Sequence, residues 1–114
     1  MKIIRFEDIV SWQKAKQLTL ITYKLFKSNK DYSFRDQIQR AVISIMNNIA
    51  EGYERQSNKE FRNFLYIAKG SCGEYRSMLY ITLDLAYINR KEFLELNTLS
   101  VDISKLLSGL IKTL

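Results

Sequence analysis

Ser57-Asn58-Lys59-Glu60-Phe61-Arg62-Asn63-Phe64-Leu65 opens the stretch on which the fold turns. A hydroxyl residue followed three positions later by Glu marks a helix start: the hydroxyl accepts from the amide three residues on, and the carboxylate reaches back to the capping amide. Beyond it, Phe61, Phe64, Leu65, Ala68, Cys72, Tyr75, Leu79, Thr82 and Ala86 recur at intervals of three and four, which at about 100° per residue places them on one face. The spacing predicts an amphipathic helix of about 30 residues ending near Ile88, roughly 45 Å long at about 1.5 Å per residue. A globule of this chain length has a radius of gyration of only about 13 Å. The fold must therefore be elongated.

Working outward, Ser33 and Asp36 repeat the cap spacing with the shorter acid, and Phe34, Ile38, Ala41, Val42, Ile45 and Ile49 form a second stripe that Gly52 is placed to stop. Between Asp8 and Ser28 an earlier helix puts Trp12, Ala15, Leu18, Thr19, Thr22, Leu25 and Phe26 on one face, with Gln13, Lys16, Gln17, Lys24 and Lys27 opposite. Downstream, Asn89 and Glu92 cap a last helix carrying Phe93, Leu96, Leu99, Ile103, Leu106, Leu107, Leu110 and Leu114. There is no proline and no Asn-Gly or Asp-Gly pair, so hairpins are disfavoured. Short linkers make successive helices antiparallel neighbours. The expectation is one all-α domain over residues 1–114, an elongated, antiparallel, up-down-up-down four-helix bundle. Leu20, Ile43, Met46 and Ala50 lie off the main stripes; they are either surplus apolar surface for self-association or scattered surface residues of a monomer.

Composition removes several chemistries. With no histidine and one cysteine in 114 residues, Ser-His-Asp and Cys-His nucleophile systems, four-ligand zinc sites and Glu-x-x-His di-iron centres are excluded within the chain. No metal or cofactor is implied. Cys72 fits a buried small apolar position in a reducing compartment. No apolar run reaches the roughly 18 residues of a membrane span, and Met1-Lys2-Ile3-Ile4-Arg5-Phe6-Glu7 lacks a signal-peptide core. The expected location is the cytoplasm, away from membranes. Eighteen Lys and Arg against twelve acids give a net charge of +6, which favours a polyanionic partner without naming one.

Residue order adds what spacing does not. Phe6-Glu7-Asp8-Ile9-Val10-Ser11-Trp12-Gln13-Lys14-Ala15, Gln37-Ile38-Gln39-Arg40-Ala41-Val42-Ile43-Ser44-Ile45, Asn48-Ile49-Ala50-Glu51-Gly52 and Gly70-Ser71-Cys72-Gly73-Glu74 resemble successive blocks of one bacterial family. It is the four-helix-bundle family encoded by intervening sequences of large-subunit ribosomal RNA genes, to which the accessory variability proteins of diversity-generating retroelements look related. The resemblance covers nearly the whole chain. It implies a left-handed bundle, assembly as a homopentamer, a basic surface for RNA or DNA, and no catalytic activity. The chain departs from the family pattern at Asn29-Lys30-Asp31-Tyr32-Ser33, where many members have a proline, and at Cys72-Gly73. An interior glycine costs a helix roughly 1 kcal/mol relative to alanine, so Gly70 and Gly73 either loosen the third helix or permit close helix contact, the reading preferred here.

Three constellations are candidates for function. Gln37, Arg40, Ser44, Asn47, Asn48 and Glu51 share an arc beside the core stripe of the second helix, and with Ser71 and Glu74 of the third they include the residues most characteristic of the family pattern. This polar seam is either a contact for a ligand or, the preferred reading, a hydrogen-bonded network that fixes helix register or a subunit interface, with Arg40 paired to carboxylates such as Glu51 and Glu74. On the third helix Arg62, Lys69 and Arg76 recur at heptad spacing with Lys59 nearby, and Tyr66, Tyr80 and Tyr87 are interleaved. Cations track phosphates and aromatic rings stack on unpaired bases, although a solvated charged face has the same look. The first helix contributes Lys14, Lys16, Lys24 and Lys27; residues 1–30 hold seven Lys or Arg against two acids. These lysines either extend a basic surface or serve solubility.

The leading expectation is a non-enzymatic, oligomeric nucleic-acid-binding or accessory protein of the ribosomal RNA intervening-sequence type, acting on structured or partly single-stranded RNA. The alternative is a protein-interaction ring, for example an accessory subunit of a reverse transcriptase. A hydrolase using Glu51 and Glu74 with a divalent ion ranks third, since no second acidic cluster or phosphate-binding glycine loop accompanies them.

Overall fold

A computed structural model describes residues 3–114; Met1 and Lys2, the first residues of the segment judged not to be a signal peptide, lie outside it. A short 3-10 turn at Phe6–Asp8 leads into four helices, α1 Val10–Phe26, α2 Tyr32–Tyr53, α3 Asn58–Asp84 and α4 Arg90–Lys112. Cross-helix pairs fix their directions. Phe26 meets Phe34 across the α1–α2 turn, Tyr53 meets Phe61 across the α2–α3 turn, and Tyr80 meets Phe93 across the α3–α4 turn. Ser44 and Ser71, and Lys69 and Ser108, join the same antiparallel pairs further along. α4 closes against α1, giving an up-down-up-down bundle of 42 × 23 × 19 Å. The elongation expected from the long third stripe is present.

The stripes supply the core. Leu18, Phe26, Ile38, Ile45, Ile49, Leu65, Leu79, Leu96, Ile103 and Leu107 are buried to within 1% of completely, and each contributes roughly 1.5–3 kcal/mol relative to an exposed side chain. Tyr75 is fully buried as well, and its hydroxyl needs a partner there. Thr22 of α1 supplies it at 2.6 Å, across the centre of the bundle. Burial raises the Tyr75 ionisation, with the Thr22 bond acting the other way. Cys72 is likewise buried.

Several boundaries differ from the sequence reading, each for a local reason. α2 starts at Tyr32, and its cap is Asp31, whose carboxylate accepts from the Phe34 amide; the Ser33–Asp36 spacing caps nothing. Ser57 accepts from the Glu60 amide at 3.2 Å, while both halves of the box close at Asn89 and Glu92. α3 is 27 residues long and stops at Asp84. Ala86, expected on the core face, is exposed with φ 59°, in the left-handed region. The Tyr87 amide donates back to the Thr82 carbonyl and the Ala86 amide to that of Leu83, the paired bonds of a helix stop in which glycine usually takes the left-handed position.

Glycine roles also shift. Gly52 does not end α2, which continues to Tyr53. A Cβ on it would lie 2.6 Å from Phe64 Cβ, so α2 and α3 approach here more closely than any larger residue permits. At Gly70 and Gly73 a Cβ would meet nothing within 4 Å, so the close helix contact expected of them is not made inside the chain. Of the surplus apolar residues, Leu20 is 62% exposed, Met46 packs against the core, and Ile43 and Ala50 are half-buried. No helix of the described residues is long and apolar enough to cross a membrane.

Candidate nucleic-acid interface

The heptad spacing of Arg62, Lys69 and Arg76 places all three on the edge of α3 that leans toward α4, and each is half-buried there. Arg62 donates to the main-chain oxygen of Leu114 at 2.7 Å, and Lys69 donates to Ser108 Oγ at 2.7 Å. These partners, Ser108 on α4 and Leu114 just beyond its end, were invisible in the sequence, because they depend on the register of two helices some forty to fifty residues apart. They hold the side chains without neutralising them with a side-chain carboxylate. The ion pairs among the described residues are Arg35–Asp36 and Arg55–Glu51, neither of which involves the stripe. Two of its cations act on the thiol below: burial pushes Cys72 up to about 11, while Arg76 and Lys69 pull it down.

Aromatic rings flank this row. Tyr66 and Tyr80 are each 56% exposed. Tyr80 sets its ring against Phe93 of α4 in a T-shaped contact at 5.2 Å, and among the described residues the Tyr66 ring makes no such pair. Tyr87 does not belong to the row. It lies beyond the end of α3, packs edge-on against Phe34 and donates its hydroxyl to Asp31 at 2.6 Å, a bond that raises its ionisation. Lys59 is exposed on the first turn of α3. Lys16 and Lys24 are exposed on α1 and Lys27 just past its end, and α1 is diagonal to α3 in the bundle. Within one chain they cannot extend the α3 stripe. Lys16 instead lies over the Trp12 ring at 5.7 Å.

The polar seam is built only in its middle. Ser44 and Ser71 share a hydrogen bond at 2.9 Å, and Asn48 Nδ2 donates to both the carbonyl and the hydroxyl of Ser44. Gln37, Arg40, Asn47 and Glu74 are exposed. The expected pairing of Arg40 with Glu51 or Glu74 does not occur inside the chain. Glu51 takes Arg55 instead, one turn on and at 2.7 Å, and Arg40 borders an open polar hollow of about 300 Å³ with Ser33, Asp36 and Gln37. Because α2 and α3 run antiparallel past the Ser44–Ser71 contact, Glu51 and Glu74 are separated along the bundle by about ten residues of rise, roughly 15 Å. They cannot share one divalent ion. Among the described residues no three Cys, Asp or Glu side chains gather into a metal-binding group.

The family described as 23S rRNA-intervening sequence protein matches residues 7–109. The chain belongs to this family. A crystal structure of a protein of unknown function from the S23 ribosomal protein family, from Bacteroides thetaiotaomicron, is 31% identical to it with a TM-score of 0.84, covering 90% of this chain and 99% of that one. No curated protein matches at a significant level. In this member of the intervening-sequence family, the half-built seam and the uncompensated cations lie on α2 and α3, within the matched span.

Proposed function

We propose that the protein is a non-enzymatic, oligomeric RNA-binding protein that acts in the cytoplasm and takes RNA along the edge of α3. The observation that carries this reading is the row of Arg62, Lys69 and Arg76, none paired with a side-chain carboxylate among the described residues, beside the exposed rings of Tyr66 and Tyr80. Residues seven apart on a helix rise by roughly 10 Å, so an unpaired strand following the row meets a cation at every second phosphate or so while its bases lie near the rings. The family name associates its members with intervening sequences of 23S rRNA, where RNA is the nearest polyanion.

The assembly in this reading is a homopentamer, which repeats the row five times and turns weak contacts into a multivalent surface. Leu20, 62% exposed on α1, and the open face around Gly70 and Gly73 leave apolar and small surface for such packing. Light scattering should give about five times the 13.5 kDa chain mass. A monomer at micromolar concentration removes the ring.

Filter binding across a salt series tests the interface. Three phosphate contacts on a single strand give a log-log slope near −2, taking about −0.7 per contact, and more subunits steepen it. Reversing Arg62, Lys69 and Arg76 to Glu should weaken binding strongly and flatten the slope. Tyr66→Ala and Tyr80→Ala should each lose roughly 1–3 kcal/mol of binding. Unchanged affinity in a correctly assembled triple variant would move the site to Lys16, Lys24 and Lys27. No RNA or DNA binding by the parent would shift the assignment to a protein-interaction ring such as a reverse-transcriptase accessory subunit. Incubation of RNA with the protein and magnesium should leave it intact; metal-dependent cleavage lost in Glu51→Gln would overturn the non-enzymatic assignment.

A further inference from the structure

The seam between α1 and α4 is the loosest of the four in the bundle, and two hollows follow it. One, of about 210 Å³, lies between the start of α1 and the last turns of α4, where Val10, Ser11, Leu106 and Leu110 line it and Asp8 stands at its edge. The other, of about 520 Å³, lies further along, where Ile21 of α1 faces Leu94 and Leu99 of α4 between Glu95 and Asp102. Val10, Leu94 and Leu106 are 45%, 49% and 36% exposed. From Leu94 to Leu110 α4 advances sixteen residues, roughly 24 Å, so the apolar floor is as long as a helix of four to five turns.

Charge distinguishes this seam from the rest of the molecule. The two linings hold three carboxylates, Asp8, Glu95 and Asp102, and no Lys or Arg, on a chain of net charge +6. Lys14 and Lys105 stand on the same helices outside those linings. Glu95 and Asp102 make no ion pair among the described residues, and they are one heptad apart on α4, roughly 10 Å. Ser11, 2% exposed, has no hydrogen-bond partner for its hydroxyl among the described residues and borders the first hollow. The Asp8 carboxylate accepts from the Ile4 and Arg5 amides, so Glu95 and Asp102 are the two carboxylates of the seam open to a cation.

We propose that the α1–α4 seam is a docking groove for a basic amphipathic helix of another protein. Apolar side chains at every third or fourth position of that helix fill the two hollows, and Lys or Arg residues one heptad apart on its flank meet Glu95 and Asp102. This site is separate from the α3 edge proposed to take RNA, since Ser108, which holds Lys69, is on the other flank of α4.

The probe is a synthetic helix of about 18 residues, long enough for the groove, with Leu at the a and d positions of each heptad and Lys beside them, together with an isomer carrying Glu for every Lys. Fluorescence anisotropy with the intact protein should show saturable binding of the Lys peptide and none of the Glu peptide. The double variant Glu95→Lys, Asp102→Lys and the single variant Leu94→Glu should each weaken it by about tenfold or more. Methyl resonances of Ile21, Leu94 and Leu106 in the unmodified protein should shift on adding the Lys peptide, a readout that needs no variant to fold. Equal binding of both peptides, undiminished binding by the charge-reversed variant, shifts confined to α2 and α3, or no binding would overturn the proposal. So would a change in assembly mass in Leu94→Glu, which would assign the groove to a second copy. The triple variant Arg62→Glu, Lys69→Glu, Arg76→Glu should bind the Lys peptide as the parent does if the two sites are separate; loss of peptide binding in that variant, correctly folded, would overturn the assignment of this groove without touching RNA binding at α3.

Discussion

Gly52 and Gly70 sit inside helices of one bundle and meet opposite surroundings. A Cβ at position 52 would press on Phe64 and Phe61, whereas at position 70 it would stand in open space. Gly52→Ala should therefore destabilise the protein by about 1–3 kcal/mol through overpacking, and Gly70→Ala should stabilise the single chain by about 0.5–1 kcal/mol by raising helix propensity. Urea unfolding of the two variants checks the contrast in sign. The sequence marks both residues equally, because a glycine symbol carries no information about how near the next helix lies. Cys72 offers a test in pH. Burial raises its thiol from 9.0 to about 11, so the unfolded chain ionises first as pH rises. Its contribution is complete below pH 9 and is lost between about pH 9 and 11, to the extent of roughly 2–3 kcal/mol. The stability difference between the parent and Cys72→Ala, followed from pH 8 to 10.5, should narrow across that window, and a constant difference would contradict it.

At the scale of the element, the stripes and the caps that start α3 and α4 were legible, and the start of α2 and the stop of α3 were not. Periodicity placed four helices in order because burial repeats every three or four residues whatever the neighbours are. Ends depend on competitors. Asp31 caps α2 in place of Ser33, and its second carboxylate oxygen also takes the Tyr87 hydroxyl from 56 residues away, a contact no local pattern contains. The stop after α3 was missed for a related reason: the left-handed position that usually shows itself as glycine is occupied by Ala86. An alanine there carries a penalty of roughly 1–2 kcal/mol that glycine escapes. Ala86→Gly should consequently raise the thermal midpoint, by an amount equivalent to about 1 kcal/mol, against the usual effect of introducing glycine. A lower midpoint would show that the Tyr87–Asp31 latch already relieves the strain.

For the molecule as a whole, the candidate site was legible as chemistry and not as placement. Spacing alone put Arg62, Lys69 and Arg76 in a row, yet it also grouped them with Tyr87 and with the α1 lysines, which the bundle carries elsewhere. Arg40 shows the same limit. Its place in the seam suggested a buried partner, and the single chain leaves it exposed beside Gln37 and Ser33. Arg40→Ala should then alter the stability of an isolated chain by no more than about 0.5 kcal/mol. If the seam closes between copies, the same variant should lower the mass of the assembly in dilution-series light scattering while its helicity stays unchanged. Loss of helical signal at every concentration would instead return Arg40 to the fold of the single chain.

The looseness of the seam between the first and last helices has a kinetic consequence. Its contacts join residues some 75 to 100 positions apart, the largest loop closures in the molecule, whereas α2 and α3 meet through a turn of a few residues and are pinned at Gly52 and at Ser44–Ser71. The central pair should therefore assemble first and the outer seam zip shut afterwards. In stopped-flow refolding, Ile45→Ala should slow folding, while Leu99→Ala should leave the folding rate nearly unchanged and accelerate unfolding. The flank of the bundle that is open in space would then also be the last to close in time.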